Sequence, residues 1–328
     1  MESNKKYNSP FMATLTGITS LFVKRERVGV LSDRDRLDGK KVLITGASSG
    51  LGLATAKELA RLGAEVIMAV RSGIPAKGEE VRKESGSDKV HMQFVDLSDF
   101  DSIKNLVENV KREFGKIDIL ICNAAVVASG ARKTKSGLEE MFMVNYVSSY
   151  YLVRLILEHK LMRENGVDLP RIVIVNSESH RDPKVFDWEH FGVFQPYTMG
   201  KTVQLYGYYK LLLATFASEL SRRLNADKTN CSVFALCPGP VHSNIAREAP
   251  SIFKPLLNIV FGIFFRSPKD ACEPVVYLSA SKEEEGKAFD YLFLMQRKDI
   301  DEKAEDKANG AKLWEMTEDL IKGLGVKI

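Results

Sequence analysis

The sequence predicts an α/β protein built on a doubly wound parallel sheet with helices on both faces. From residue 40 onward, apolar runs of about five residues alternate with amphipathic stretches of helical period. Each apolar run is nearly continuous, as expected for strands that are covered on both faces. Strands that alternate with helices connect through right-handed crossovers, so they run parallel. A ligand of such a sheet lies at the carboxyl ends of its strands.

The predicted elements follow one another in a simple order, with no internal repeat and no low-complexity linker. The strands span residues 42–45, 65–70, 90–95, 117–122, 172–175, 232–236 and 289–294. The helices span 51–62, 102–114, 138–157 and 204–224, and a last helix is expected near 307–322.

The length indicates one large domain with extensions. The chain has 328 residues, of which 45% are hydrophobic and 27% are charged. That apolar content and a net charge of only +4 exclude disorder for most of the chain. We expect an N-terminal extension of amphipathic character over 1–38, a single domain over 39–294, and a charged helical tail over 295–328.

Charge and cysteine usage narrow the class of protein. With 47 basic and 43 acidic residues the balance is only mildly basic, so no nucleic-acid partner is expected. Cys122, Cys231, Cys237 and Cys272 form no Cys-x-x-Cys pair, which is typical of buried thiols in a reducing, intracellular compartment. None of the five histidines has the spacing of metal ligands, so no metal is expected.

The N-terminal segment raises the question of a membrane. No run of about 18 uncharged apolar residues occurs, so a transmembrane helix is not expected. Residues 10–23 follow Lys5 and Lys6 as in a signal peptide, but a basic stretch stands where a cleavage site would be. An amphipathic surface segment is favoured, which places the protein in the cytoplasm or peripherally on the cytoplasmic side of a membrane.

The first predicted strand runs directly into a glycine-rich loop and then into a helix. Glycine lets the backbone turn tightly and approach a pyrophosphate without a Cβ in the way. The helix start offers free N–H groups and the positive end of its dipole to the anion. This context indicates a Rossmann-type dinucleotide site, with an ordinary glycine-rich turn as the alternative. The candidate cofactor residues are Gly46, Ser48, Ser49, Gly50, Leu51 and Gly52.

The ends of the next strands would carry the adenosine side of the site. The second strand ends in Val70-Arg71, with no carboxylate for a ribose 2′-hydroxyl, and an arginine can bind a 2′-phosphate. This favours NADP(H) over NAD(H), against the alternative of a solvated surface arginine. Asp96, followed by Leu97, offers a carboxylate to the adenine amino group or else caps a turn. After the fourth strand, Asn123 begins a run of small residues that a cofactor could approach closely.

A tyrosine and a lysine form a candidate acid–base pair. Tyr206 and Lys210 are four residues apart at the start of a predicted helix, so they share one face. An ammonium stabilises a phenolate and brings the tyrosine pKa, normally about 10, toward the working range. The pair could exchange a proton with an alcohol or carbonyl oxygen while hydride moves to or from nicotinamide. Tyr197 and Lys201 form a second copy, which we expect in a loop because it contains Gly200.

Together these motifs resemble the short-chain dehydrogenase/reductase family over roughly residues 39–294. The resemblance rests on the glycine-rich loop, Asn123-Ala124-Ala125, Asn145, Ser177, Tyr206 with Lys210, and Pro238-Gly239-Pro240-Val241. It implies that Ser177 hydrogen-bonds the substrate oxygen and that Tyr206 is the general acid/base. It also implies that Lys210 lowers the pKa of that tyrosine and holds the nicotinamide ribose, while Asn145 helps to position a water relay.

The resemblance extends to the nicotinamide end of the cofactor. Pro238, Gly239 and Val241 would lie beside the nicotinamide, with the Val241 backbone contacting its carboxamide. Ser243 would contact the diphosphate.

Within the family, the chain is most similar to the retinol dehydrogenase and related lipid-alcohol branch. The Ala-Val-Arg ending of the second strand and the helix that continues after Lys210 fit that branch. The chain departs from the family pattern after the fifth strand. Asn176-Ser177-Glu178-Ser179 replaces the usual pair of serines, so Ser179 is an alternative to Ser177 as the serine that binds the substrate oxygen. The segment between Ser177 and Tyr206 contains Phe186, Trp188 and Phe191, and it is either a wall of the substrate pocket or a self-packed surface loop.

The apolar stretch 252–265 lies where the family covers its substrate. It is expected to be a lid over a bulky lipophilic ligand, a membrane-surface helix acting with 10–27, or a core or subunit contact. The expected function is an NADP(H)-dependent oxidoreductase that interconverts an alcohol and a carbonyl on a retinoid-, steroid- or fatty-aldehyde-like molecule. Alternatives are a non-catalytic dinucleotide-binding sensor or scaffold and a reductase of carbon–carbon double bonds. Expected partners are the lipophilic substrate, a membrane surface contacted peripherally, and a second copy in a homodimer.

Overall fold

The computed structural model describes residues 27–163, 168–226, 228, 230–241 and 266–327. Three predictions fall outside these residues, namely the surface segment 10–23, the diphosphate contact of Ser243, and the apolar stretch 252–265.

One eight-stranded sheet forms the centre of the described chain and confirms the predicted fold class. Its strands pair in the order β3-β2-β1-β4-β5-β6-β7-β8. The first seven run parallel, and β8 pairs antiparallel with β7. All seven predicted strands are present, whereas β8 has 2 residues and is too short to leave a pattern. The strands are β1 Lys41–Thr45, β2 Glu65–Val70, β3 Val90–Phe94, β4 Ile119–Cys122, β5 Arg171–Val175, β6 Ser232–Cys237, β7 Phe289–Phe293 and β8 Gln296–Arg297.

Helices cover both faces of the sheet. One layer, with α3, α5 and α6, packs on the face that carries Leu120 and Ile174. The other, with α1, α2 and α8, packs on the face that carries Ile121 and Val175. The helices are α1 Gly50–Arg61, α2 Ala76–Ser85, α3 Phe100–Glu113, α4 Glu140–Phe142, α5 Ser148–Glu158, α6 Met199–Leu224, α7 Pro268–Ala271, α8 Glu273–Ala280, α9 Glu302–Glu305 and α10 Lys307–Gly323. A π-helical turn, Met143–Val147, joins α4 to α5, and 3₁₀ helices span Glu178–Arg181 and Lys282–Glu284.

Helix α2 is absent from the predicted elements because its apolar face is small. Only Gly78 and Val81 of this helix are buried. An ion pair adds to the contact with α1, since Lys57 Nζ lies 2.6 Å from Glu80 Oε1. One valine and a set of charged residues leave no periodic apolar pattern for the sequence to show.

The long helix α6 begins at Met199, earlier than predicted, so the expected loop around Gly200 is wrong. Thr198 is its N-cap residue, with extended backbone at φ −107 and ψ 172. The first N–H groups of a helix have no intrahelical partner, so a glycine in the first turn interrupts few hydrogen bonds. Tyr206 therefore lies well inside the helix and packs, partly buried, against the main core.

The predicted C-terminal helix is present as α10, which packs on α6. Leu313, Thr317 and Ile321 are buried, and the hydroxyls of Tyr146 and Thr317 lie 2.6 Å apart. The C-terminal residues therefore contribute to the main core, while domain limits at 39 and 294 stay a prediction.

The four cysteines are buried and free of disulfides, as predicted. Among the residues that the structure describes, no helix has the length and apolar character needed to cross a membrane. The same residues contain no cluster of three or more His, Cys, Asp or Glu side chains arranged to hold a metal ion.

Candidate active site

A cleft with a cavity volume of about 420 Å³ lies at the carboxyl ends of the central strands. From β2 to β6 there are four strand spacings of about 4.8 Å, which make this edge roughly 19 Å long. That length suits an extended dinucleotide. Most of the predicted site residues line the cleft: Gly46, Ser48, Ser49, Gly50, Leu51, Gly52, Arg71, Asp96, Leu97, Asn123, Ser177, Tyr206, Lys210, Pro238, Gly239 and Val241.

The shape of the glycine-rich loop depends on close backbone approaches. Gly46 has φ +68 and Gly50 has φ +52, in the left-handed region that favours glycine. A Cβ on Gly52 would lie 2.4 Å from the carbonyl oxygen of Gly46 and 2.5 Å from Asn123 Nδ2. Any side chain at Gly52 would push α1 away from the loop, so the cleft floor requires glycine there.

The amino end of α1 is open to a ligand. Ser49 is the N-cap residue, but its side chain makes no capping hydrogen bond. At the start of α3, by contrast, the Asp99 carboxylate accepts a hydrogen bond from the Asp101 N–H. Ser48, Ser49 and Gly50 line the cleft, where free N–H groups and the helix dipole favour an anion. The loop therefore fits the pyrophosphate of a dinucleotide.

The adenosine end of the cleft carries an exposed cation. Arg71 follows the buried Val70, and within the described ranges no ion pair engages its guanidinium. Asp96 Oδ1 accepts hydrogen bonds from the Ser98 N–H at 2.9 Å and the Ser98 hydroxyl at 2.7 Å. Asp96 thus caps the turn after β3, and its contact with adenine stays a prediction.

Asn123 joins the end of β4 to the glycine-rich loop. Its Nδ2 donates hydrogen bonds to the carbonyl oxygens of Thr45 at 2.8 Å and Gly46 at 3.3 Å. The N–H groups of Asn123 and Ala124 both donate to Thr45 Oγ1. The Asn123 side chain therefore shapes the loop that a dinucleotide would occupy.

Asn145 lies behind the cleft wall, in the π-helical turn Met143–Val147. Its Oδ1 accepts from the Val126 N–H at 2.8 Å, and its Nδ2 donates to the Val126 carbonyl at 2.9 Å. These two hydrogen bonds hold the cleft-lining Val126 backbone. A π-helical turn opens the backbone of a helix and is frequent at functional sites. A role of Asn145 in a water relay stays a prediction.

Ser177 lies two residues after the end of β5 and is the N-cap residue of the 3₁₀ helix Glu178–Arg181. Ser179 donates hydrogen bonds to Ser177 Oγ from its hydroxyl at 3.0 Å and from its N–H at 3.3 Å. Of the two serines, Ser177 lines the cleft. A ligand in the cleft can therefore touch Ser177, while Ser179 supports the Ser177 hydroxyl.

Tyr206 and Lys210 lie on successive turns of α6 and line the same end of the cleft. The Lys210 ammonium nitrogen is 5.7 Å from the centroid of the Tyr206 ring. Lys210 Nζ donates a hydrogen bond to the Val175 carbonyl at 3.0 Å, and the side chain is 2% exposed. Burial lowers the pKa of Lys210 to about 8.

Burial has the opposite effect on the phenol. It raises the pKa of Tyr206 well above its usual value, with the Cys237 thiol adding to the rise and the Ser177 hydroxyl opposing it. The neighbouring Lys210 ammonium had predicted a lowered pKa for Tyr206. The pKa is raised instead, because removal of the phenol from water disfavours the phenolate. The Tyr206 phenol is therefore protonated at neutral pH.

The second tyrosine–lysine copy lies away from the cleft. The Tyr197 hydroxyl donates to Glu139 Oε1 at 2.8 Å, and Lys201 is exposed. The fold thus separates two copies of one sequence pattern and brings only Tyr206 and Lys210 to the cleft.

The aromatic segment between Ser177 and Tyr206 packs on the main core. Phe186 stacks on Trp188 with ring centroids 4.4 Å apart, and the Phe191 ring meets the Phe142 ring edge-on at 5.4 Å. None of these rings lines the described cleft. The segment therefore covers the core beside the cleft.

Asn176 and Cys237 line the cleft next to Ser177 and Pro238 but were not predicted to be part of the site. Burial raises the pKa of the Cys237 thiol to about 11, so it is protonated at neutral pH. Position alone could have indicated both residues, because each directly precedes a motif residue, Ser177 or Pro238, at a strand end.

A doubly wound sheet with this loop and a tyrosine–lysine pair at one cleft defines a dinucleotide-binding oxidoreductase. The family model described as short chain dehydrogenase matches residues 40–187. Retinol dehydrogenase 14 of Homo sapiens is 33% identical over 316 residues, which cover 91% of this chain and 90% of that protein. The chain belongs to the short-chain dehydrogenase/reductase family and is most similar to its retinol dehydrogenase branch.

Solved structures share the fold. An uncharacterized protein from Mycobacterium Paratuberculosis superposes with a TM-score of 0.68 at 28% identity, covering 90% of this chain and 98% of that chain. The Pseudomonas aeruginosa RhlG/NADP active-site complex has a TM-score of 0.62 at 18% identity, covering 80% of this chain and 98% of that one.

Proposed function

We propose that the protein is an NADP(H)-dependent oxidoreductase that interconverts an alcohol and a carbonyl group on a bulky hydrophobic molecule. The observation that carries this proposal is the grouping of Tyr206, Lys210 and Ser177 at one end of a cleft that also holds a dinucleotide loop. A protein that only bound a dinucleotide would not need a half-buried phenol beside a buried ammonium.

The residues of the chain handle the proton in this reaction, and the dinucleotide exchanges the hydride when it is bound. The Ser177 hydroxyl donates a hydrogen bond to the substrate carbonyl oxygen and orients it. The Tyr206 O–H, kept protonated by burial, donates its proton to that oxygen as the carbonyl is reduced. The Lys210 ammonium then stabilises the remaining phenolate.

The lipophilic substrate class has two supports. The human relative that is 33% identical to this chain is named for retinol, a hydrophobic alcohol. In the sequence, the apolar stretch 252–265 follows the cleft-lining Val241. A retinoid-, steroid- or fatty-aldehyde-like molecule fits both.

The preference for NADP(H) is supported by Arg71 and Val70. A guanidinium can form two parallel hydrogen bonds to a phosphate, and Val70 brings no negative charge to repel it. Arg71 is exposed at the cleft and could turn toward a 2′-phosphate. The RhlG relative of this fold is itself described as an NADP complex.

The experiment is a spectrophotometric screen of NADPH consumption by the purified full chain against retinoid, steroid and fatty aldehydes or ketones. We expect turnover with at least one of these carbonyls and oxidation of the matching alcohol with NADP⁺. NADPH binding with no turnover on any of them would instead support a sensor or scaffold. Consumption limited to enones whose carbonyl survives would support a carbon–carbon double-bond reductase.

We further propose that the protein contacts membranes peripherally from the cytoplasmic side and forms a homodimer. Residues 10–23 and 252–265 are apolar segments with basic neighbours, as in helices that lie on anionic lipid surfaces. The dimer is tested by light scattering, where a monomeric mass at micromolar concentration would contradict it.

A further inference from the structure

Asn176 is a polar side chain of the cleft wall that the proposed chemistry leaves unused. It lies between β5 and Ser177 and is 3% exposed. Among the described residues, neither its Oδ1 nor its Nδ2 has a hydrogen-bond partner. Buried polar atoms in folded proteins are nearly always paired with protein or with ordered water. The amide therefore marks a point where a small polar partner completes the structure.

The alternation of the sheet places this amide on the face covered by α6. Ile174 belongs to the core on the α6 side, and Val175 belongs to the core on the opposite side. The Asn176 N–H donates to the Leu236 carbonyl at 2.6 Å, so the β5–β6 hydrogen-bond ladder continues past Val175. Because successive side chains alternate between faces, Asn176 follows Ile174 toward α6.

Lys210 reaches the same point from α6. Its ammonium donates to the Val175 carbonyl, which belongs to the peptide that ends at the Asn176 nitrogen. An ammonium has three N–H donors, and this hydrogen bond uses one of them. The titratable groups that face Lys210 are the Tyr206 phenol on its own helix and the Cys237 thiol on β6. In the described part of the chain no carboxylate forms an ion pair with Lys210.

We propose that Asn176 is a positioning residue for the Tyr206–Lys210 pair, acting through one ordered water molecule. The water accepts a hydrogen bond from Lys210 Nζ and donates one to Asn176 Oδ1. The amide and the ammonium are not in direct hydrogen-bond contact, and a water with two or more polar partners can bridge such a gap. The bridge would orient the ammonium and keep it charged beside the phenol. The effect on turnover rests on the proposed function, whereas the bridge itself is a property of the free protein.

The first test follows the titration of Lys210 without any turnover. Lysine side chains of the full chain are labelled with ¹³C, and the Lys210 resonance is identified by its loss in Lys210→Arg. Asn176→Leu keeps a similar volume but removes the acceptor, so the pKa of Lys210 should fall below its wild-type value. Asn176→Asp keeps the acceptor and adds negative charge, so that pKa should rise.

The second test follows turnover. Asn176→Leu should lower kcat about tenfold, as expected when a proton-transfer group is misplaced. The KM for the carbonyl substrate and the Kd for NADPH should change less than about twofold. Ser232→Ala is the matched control, because the Ser232 hydroxyl is also buried without a described partner but lies at the start of β6, away from the cleft. It should leave kcat and the Lys210 titration unchanged.

The outcomes separate this proposal from the proposed function. A Lys210 titration and a kcat that are unchanged in Asn176→Leu, with only the melting temperature altered, would overturn the bridge. If wild-type protein turns over no carbonyl but the Lys210 titration shifts as stated, the proposed function fails and the bridge stands. If Asn176→Leu does not fold, Asn176→Asp decides, and an unshifted Lys210 titration in that variant would contradict the proposal.

Discussion

Burial sets the protonation of Tyr206 and Lys210 in the cleft. It raises the pKa of Tyr206 and lowers the pKa of Lys210 to about 8. At neutral pH the phenol is therefore protonated, and the ammonium is mostly charged. That combination suits carbonyl reduction, in which the phenol gives its proton away. Alcohol oxidation needs the phenolate, and so it needs further positive charge close to Tyr206.

The first residue-level prediction concerns the proton donor. Tyr206→Phe removes the phenolic O–H and should reduce kcat for NADPH-dependent carbonyl reduction by at least about 100-fold. NADPH binding, measured by fluorescence titration, should survive because the glycine-rich loop is untouched. Tyr197→Phe is the control and should remain active, since Tyr197 bonds Glu139 outside the cleft. Activity that depends on Tyr197 in place of Tyr206 would show that the other copy is catalytic.

The second residue-level prediction concerns the preference for NADPH over NADH. Arg71→Ala should raise the KM for NADPH by about 10- to 100-fold, the loss expected for charge-assisted hydrogen bonds to a phosphate. The KM for NADH should change little. Lys77→Ala is a nearby control, because Lys77 Nζ is paired with Glu80 at 2.6 Å. A wild-type enzyme with a lower KM for NADH than for NADPH would refute the assignment.

At the scale of elements, the 3₁₀ helix Glu178–Arg181 ties Ser177 to the C-terminal part of the chain. The Tyr291 hydroxyl donates to Glu178 Oε1 at 2.7 Å, and Lys298 forms an ion pair with Glu178 Oε2. Side chains that follow β6 in sequence therefore hold the short helix that Ser177 caps.

His180 completes this connection as a neutral imidazole. Its Nδ1 lies 2.7 Å from the Ser177 carbonyl oxygen, and its Nε2 accepts from the Asp301 N–H at 3.3 Å. An imidazole that accepts at Nε2 must donate from Nδ1, so only the neutral form satisfies both partners. Burial accordingly lowers the pKa of His180 to about 4.

This histidine makes stability depend on pH. With an unfolded pKa of about 6.5, the unfolded chain binds more protons than the folded one between about pH 6.5 and 4. The stability due to neutral His180 is thus complete above that range and is lost as the pH falls through it. Between about pH 7 and 4.5, wild-type protein should lose roughly 2 kcal/mol more unfolding free energy than His180→Gln. Urea titrations at both pH values measure this, and parallel losses in the two proteins would contradict it.

At the scale of the whole molecule, the site is assembled from both halves of the chain. The glycine-rich loop, Arg71 and Asn123 come from the first half, and Ser177 and Tyr206 come from the second. The parallel sheet brings them together because its parallel strands all end at one edge. The loop, Arg71, Asn123 and Ser177 follow these strand ends, and Tyr206 lies on α6, which packs against the sheet.

The prediction at this scale concerns the membrane. The full chain should float with vesicles that contain anionic phosphatidylserine, and less with neutral phosphatidylcholine vesicles, because basic residues flank the apolar segments. Added salt should weaken the binding. A chain that lacks residues 1–26 tests the N-terminal segment and should float less. Absence of flotation with both kinds of vesicle would remove the membrane proposal.

Local patterns were sufficient for most of the fold. The strands are continuous apolar runs and the glycine-rich loop needs residues without a Cβ, so each is visible within a short window of sequence. The apolar pattern did not predict elements that bury few apolar side chains. Helix α2 buries one valine and a glycine, and β8 has 2 residues.

The sequence by itself determined the doubly wound sheet, the dinucleotide loop and the family resemblance, because these depend on periodicity and on residues adjacent in the chain. Only the tertiary structure decided which tyrosine–lysine copy reaches the cleft, that Asn123 binds the loop backbone, and that burial raises the pKa of Tyr206. It also left the buried Asn176 amide without a hydrogen-bond partner among the described residues, next to the Val175 carbonyl that Lys210 binds. These features depend on packing between distant segments, since desolvation and long-range hydrogen bonds exist only once the strands and α6 are in contact.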